Sequence, residues 1–226
     1  MLTPLSRKET IRGYLYMAFQ MLLLPVILRG INEFADDIFQ EAELNFLYFL
    51  LNFLSIHVIF HSFLKKSLEK ALQHPIYLLQ AVILGLAGCF GCTWVFDLLI
   101  SRFHPDFVNL NDAGIASMAR DSLFLMAVGT TVLVPPVEEC FFRGLIFRNL
   151  YEKNRVLAYL VSMLAFAALH LLGSFGRLSV LDLILCTIQY LPAGLCLAWA
   201  YEKTGTIYAP IVIHALVNFR GIYTMR

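Results

Sequence analysis

Residues 134–148 read VPPVEECFFRGLIFR, and two adjacent glutamates and an arginine are the ionisable groups that interrupt this apolar stretch. Neighbouring residues on a helix lie roughly 100° apart, so Glu138 and Glu139 point in different directions. Glu139 and Arg143 stand at i and i+4, where a carboxylate and a guanidinium meet as a salt bridge. Glu138 has no such partner on its own helix. Further along, His170 follows Phe166 by one helical turn in MLAFAALHLL, and His214 and Asn218 stand at i and i+4 in APIVIHALVNF. Ionisable groups inside membrane segments are costly and face a bundle interior or a watery cavity. Three separate segments thus offer Glu138, His170, His214 and Asn218 to one cavity.

The chemistry that suits this set is hydrolysis of a peptide or ester. A glutamate withheld from bulk water serves as general base on a water molecule, and a histidine orients or shares the proton. The remaining histidine and the asparagine donate to the developing oxyanion, which needs fixed donors in a low-dielectric site. A competing chemistry is zinc, because Glu138, His170 and His214 form a possible ligand set with water in the fourth position, although neither HExxH nor HxxE is present. The non-chemical alternative is that each group hydrogen-bonds a neighbouring helix, as intramembrane polar side chains often do. For the set taken together with the Glu-Glu pair, hydrolysis is the better account.

The elements that must position these residues follow from composition. The chain has 226 residues, 59% hydrophobic and 15% charged, with a mean hydropathy of +0.72. A soluble domain carries about a quarter charged residues, so the expected fold is an all-α, polytopic transmembrane bundle of about 7–8 membrane helices. The net charge of +1 favours neither nucleic acid nor an acidic partner. Cys89, Cys92, Cys140, Cys186 and Cys196 all fall in apolar stretches, where a free cysteine behaves as a small hydrophobe.

Roughly 20 helical residues cross a bilayer core, and apolar blocks at 11–28, 44–63 and 76–100 are long enough. The first block contains Pro25, which predicts a kink near its far end, and is read as a retained helix rather than a cleaved leader. The segment 101–120, with Pro105, Asn109, Asn111, Asp112 and Gly114, reads as an exposed loop with a surface helix. A fourth block at 122–134 meets Pro135-Pro136, which either kinks that helix or starts another. Blocks at 156–172, 181–201 and 207–219 complete the chain. The whole of 1–226 reads as one integral membrane domain, with 1–120 as N-terminal spans and loop and 121–219 as the half that bears the motifs. Basic residues at the N-terminus, at 65–70 and at 143–155 place those segments in the cytoplasm. Seven spans would then put Arg220 and Arg226 outside, and a separate half-helix after the prolines would return them inside.

With these residues in view, the chain resembles the CPBP family, also called Abi, of CAAX prenyl endoproteases and bacteriocin-processing or self-immunity proteins. Glu138, Glu139 and Arg143 match EExxxR, Phe166 and His170 match FxxxH, and His214 and Asn218 match HxxxN. The resemblance implies a glutamate-type intramembrane endopeptidase in which Glu138 and His170 activate water, His214 and Asn218 support the oxyanion, and Glu139, Arg143 and Phe166 hold the site together. It implies no cofactor, with zinc as the alternative carried by the family's older label of metalloprotease. It implies a hydrophobic or lipidated peptide substrate reached among membrane lipids, in what the short loops suggest is a prokaryotic plasma membrane with a cytoplasmic N-terminus. Non-catalytic immunity or scaffold proteins that bind a hydrophobic peptide form the alternative within the same family.

Overall fold

A backbone in hydrocarbon must satisfy its own N–H and C=O groups, and every long apolar run in this chain does so as helix. The structure, a computed structural model, describes residues 1–224; the expected placement of Arg226 lies outside them. In order the helices are α1 (Arg7–Leu22), α2 (Leu24–Phe34), α3 (Glu41–Ile59), α4 (His61–Gln73), α5 (Pro75–Phe103) and α6 (Leu110–Asp121). They are followed by α7 (Leu123–Tyr151), α8 (Arg155–Leu171), α9 (Val180–Thr204) and α10 (Tyr208–Thr224). No strand occurs among the described residues. The all-helical, polytopic expectation is borne out.

Five helices are long and apolar enough to cross a membrane: α3, α5, α7, α8 with its 3-10 extension to Ser174, and α9. A sixth crossing results if α1 and α2, bent by 44° at Leu23 with Pro25 in the first turn of α2, count as one broken span. The expectation of 7–8 also counted α10, whose 17 residues fall short of that length, and a separate half-helix after Pro135-Pro136 that does not form. Leu54, Val58, Ile83, Leu84, Trp94 and Leu98 stand exposed on α3 and α5, as side chains facing lipid do.

Helix α7 passes through both prolines because its turns widen there. Gly129–Leu133 and Cys140–Phe147 are π-helical, and the N–H of Val134 donates to Gly129, five residues back rather than four. That leaves the Thr130 carbonyl with no intrahelical donor, since the residue five positions on is Pro135, which has no N–H. Asn218 of α10 supplies the missing hydrogen, Nδ2 to Thr130 O at 2.9 Å. A backbone defect in α7 is thus closed by a side chain from α10.

Two apolar clusters hold the bundle. Phe60, Phe63, Phe141, Phe147 and Tyr201 are fully buried where α4, α7 and α9 meet, and Phe142, Phe166, Leu197 and Ile213 form the layer beside the polar residues of the motifs. At one end of the bundle the chain termini of several elements are tied together. Thr3 donates through N and Oγ1 to Gly205 O at 2.9 and 2.8 Å, Arg148 Nε donates to Thr3 O at 2.8 Å, and Thr206 Oγ1 donates to Ser67 O at 2.7 Å. Lys70 Nζ donates to Met1 O. Glu9 closes the capping box of α1 with Ser6 and also accepts from the Phe63 N–H in the first turn of α4 at 2.8 Å.

Gly194 lets α9 approach α8: a Cβ there would sit 2.9 Å from Met163 Cγ and 3.2 Å from its Cα. Its carbonyl accepts from Arg143 Nη2 at 3.1 Å. Gly194→Val should therefore push the two helices apart and destabilise the protein by about 1–3 kcal/mol, the usual cost of overpacking. A lowered midpoint of thermal unfolding in detergent is the expected result, whereas Gly173→Val, where a Cβ meets nothing within 4 Å, should leave the midpoint unchanged.

Candidate functional site

Glu139 and Arg143 form the salt bridge that their spacing predicts, Nη1 to Oε1 at 3.0 Å, with both side chains fully buried. Arg143 also donates through Nη2 to Gly194 O, and its guanidinium lies 4.7 Å from the centroid of the Phe166 ring. The Glu139 Oε1 atom has a second partner that spacing along one helix does not reveal. His214 Nδ1 of α10 lies 2.8 Å from it. A carboxylate paired with arginine accepts only, so Nδ1 carries a proton, and when the ring holds no second one Nε2 presents a lone pair. That lone pair faces the other glutamate: His214 Nε2 and Glu138 Oε2 are 3.9 Å apart.

Glu138 Oε2 is buried and has no hydrogen-bond partner, in keeping with the absence of a partner on its own helix. Its nearest imidazole is His214 of the HxxxN motif rather than His170. His170 has its Nδ1 2.9 Å from Phe166 O, which sets the same tautomer as in His214, since a carbonyl only accepts. Its ring stacks on Tyr190 at 4.3 Å between centroids and 27° between planes. No hydrogen bond or ion pair joins Glu138 to His170 among the described residues, yet both line one cavity of about 600 Å³, with His214 and Asn218. Phe166, T-shaped to the His214 ring at 5.6 Å, packs beneath the same group. The structure therefore brings all four polar motif residues to one cavity.

The cavity has polar walls that the motifs leave out. On α3, Asn52 is buried and holds Tyr16 Oη through Oδ1 at 2.9 Å, and Tyr48 Oη contacts Gln20. The segment expected as an exposed loop with a surface helix does form a helix, α6, and stays largely at the surface, with its polar side chains bonded to α9 at the rim of the cavity. His104 Nε2 pairs with Asp182 at 2.9 Å, Asn109 Nδ2 donates to Gln189 at 3.0 Å, and Tyr190 Oη donates to Asp112 Oδ1 at 3.1 Å. Asn111 Nδ2 donates to the same hydroxyl at 3.1 Å. Burial holds the Asp112 carboxyl above the usual carboxylate range, against the pull of the Tyr190 hydroxyl and His170. Tyr190 thus joins the cover, α6, to His170. Asn45 and Asn52 inside an apolar block were the sequence signal for the α3 wall, and Gln189-Tyr190 was the signal for the α9 wall.

The zinc set of Glu138, His170 and His214 does not fit the geometry. Glu138 and His170 share no contact, and no three His, Cys, Asp or Glu side chains gather as a ligand group among the described residues. Cys89 and Cys92 form no ligand set either, and all five cysteines are free thiols.

Residues 120–220 match a family described as "Type II CAAX prenyl endopeptidase Rce1-like". The chain is 33% identical over 95 residues to the "Putative membrane peptidase YdiL" of Bacillus subtilis (strain 168), a stretch that covers 42% of this chain and 34% of that protein. The chain thus matches about a third of the length of that curated relative. No solved structure matches it. Over residues 120–220, under half of the chain, the family resemblance drawn from the three motifs agrees with both matches, each of which is named for a peptidase.

Arg143→Met alone leaves the Glu139 carboxylate buried without its counterion and should destabilise the protein by roughly 3–5 kcal/mol, whereas Arg143→Met combined with Glu139→Leu removes both charges and should cost far less. Thermal unfolding of the two variants in detergent checks this; equal losses would show that the pair contributes nothing beyond packing.

Proposed function

We propose that this chain is a glutamate-type intramembrane endopeptidase acting on a hydrophobic or lipidated membrane-associated peptide, with its chemistry carried by 121–219. The observation that carries this reading is a single geometry. An unpartnered, buried Glu138 carboxylate oxygen lies 3.9 Å from the lone pair of a histidine whose tautomer is set by a second, arginine-paired glutamate. A water donating to Glu138 Oε2 and to His214 Nε2 would be held by both bases. Glu138 takes the proton, the hydroxide adds to the scissile carbonyl carbon, and a tetrahedral oxyanion forms. The same proton then passes to the departing amine as the C–N bond breaks.

His170 completes the site from the opposite wall, with Nε2 available to orient the water or to relay the proton, while Tyr190 fixes the ring plane. Asn218 has one amide hydrogen committed to Thr130 O; its second hydrogen is the donor for the oxyanion. His214 serves the same oxyanion when the proton taken by Glu138 moves to Nε2 before it passes on to the departing amine, with the Glu139 carboxylate balancing the charge of the ring. Such fixed donors act strongly in a site walled from bulk water. No cofactor enters this scheme. The N-terminus lies in the cytoplasm of a prokaryotic cell, the bundle sits in the plasma membrane, and the bilayer gives the substrate access.

Glu138→Gln and His170→Ala should each lower cleavage by about 10²–10⁴-fold, the usual contribution of a general base, with unchanged insertion and thermal stability. Terminal-peptide mapping of membranes from cells carrying wild type or either variant reads this directly, because termini made by the enzyme disappear in the variants. Termini that persist in Glu138→Gln would replace catalysis with a binding role such as immunity or scaffolding. Metal analysis of the purified wild type accompanies the experiment, and stoichiometric zinc lost on His214→Ala would replace the glutamate mechanism with a zinc one.

A further inference from the structure

The two ends of the bundle differ in charge, and the cavity belongs to only one of them. Arg7, Lys8 and Arg12 begin α1, and Lys65, Lys66 and Lys70 lie on α4. Arg148 follows Phe147 near the end of α7, and Lys153 and Arg155 lead into α8. The bonds among Met1, Thr3, Ser67, Lys70, Arg148 and Gly205 gather these segments at one end. Helix α4 fits an interface there: Phe63, Leu64 and Ala71 are buried, while Lys65 and Lys66 stand exposed.

The other end carries Asp36 and Asp37 between α2 and α3, Glu41 and Glu43 in the first turn of α3, Asp106, Asp112 and Asp121 around α6, and Asp182 at the start of α9. Its arginines are Arg29, Arg102, Arg120, Arg177 and Arg220, fewer than the acids around them; Arg29 is paired with Glu41, and Arg220 lies over the Phe90 ring at 4.6 Å. Short loops rich in lysine and arginine stay in the cytoplasm, and an anionic inner leaflet adds about 1 kcal/mol for each such side chain near its surface. The basic end is therefore the cytoplasmic one.

Most of the cavity wall comes from the opposite half and the rest from mid-bundle. It is lined by the first turns of α3 at Asn45, the last of α5 at Asp97, α6 at Asp112, the third turn of α9 at Gln189 and the last turns of α10 at Gly221. Its inner limit lies near mid-bundle, at Glu138 and Phe141 of α7 and His214 of α10, and none of the described residues at the basic end lines it. We infer that the cavity opens to the extracytoplasmic face, so the substrate is a peptide at the outer side of the membrane, namely the outer juxtamembrane stretch of an anchored or translocated precursor, and cytoplasmic tails do not reach Glu138. The substrate side rests on the peptidase reading; the direction of opening does not.

Two variants that each add one cysteine to a Cys92→Ala background test it, since Cys92 is the exposed native thiol. Asn45→Cys reports from the cavity wall and Lys66→Cys from the basic end. The probe is a charged, membrane-impermeant methanethiosulfonate added to intact cells or to cells permeabilised first, with the Cys92→Ala parent as the blank. Asn45→Cys should react in intact cells, and Lys66→Cys only after permeabilisation. The reverse pattern, or an Asn45→Cys that reacts only in permeabilised cells or in neither preparation, overturns the inference. Labelling needs no hydrolysis, so its outcome is independent of Glu138→Gln. If the cavity opens outward but the termini lost in Glu138→Gln map to cytoplasmic segments, the assignment of the substrate side falls while the peptidase reading stands.

Discussion

The fully buried guanidinium of Arg143 is the constraint on which the rest of the site depends. A charge held in such a place is tolerated only when its hydrogens and its field are answered at close range. Here the answers come from different helices: Glu139 from α7 itself, the Gly194 carbonyl from α9 and the Phe166 ring from α8. Through Glu139 the same charge reaches α10, because Oε1 is shared with His214. Four helices are thereby fixed around one cation. The separation of His214 from Glu138 follows from that arrangement. Arg143 hydrogen-bonds Glu139 and the Gly194 carbonyl and none of the atoms proposed to react; its contribution is to position the groups that do.

Much of the fold was legible because hydrocarbon imposes a simple rule on sequence. Apolar blocks became helices, and Pro25 marked the bend between α1 and α2. Errors arose where local composition had two physical readings. Pro135-Pro136 normally ends a helix, yet widened turns on either side let α7 run on. Residues 65–70 look like a basic loop by charge alone. They lie on a helix because Phe63, Leu64, Ser67 and Ala71 share a buried face at helical spacing. The segment 101–120 does lie largely at the surface, but charge and polarity alone did not show that its asparagines and Asp112 also answer polar groups on α9.

The site was legible to the extent that it lies within single helices. Spacing of i and i+4 identified the Glu139–Arg143 pair and put His214 and Asn218 on one face. It could not reveal that Glu139 serves two partners, or that Glu138 faces His214 more closely than His170, because those relations depend on the distance between helices. Tyr190 went unnoticed for a similar reason. In an apolar block a tyrosine is ordinary, and only the structure puts its ring on His170 and its hydroxyl among three side chains of the cover.

The bond from Asn218 to the Thr130 carbonyl ties the meaning of one position to the residue at another. Pro135 creates the vacancy that the asparagine fills, so the two residues are epistatic although they lie on different helices. In a background with alanine at 135, a backbone N–H is restored that can serve Thr130, and the side chain at 218 is released from helix repair. The same substitution at 218 would then be read as structural in one background and as chemical in the other. Variation at the two positions across relatives is expected to be correlated.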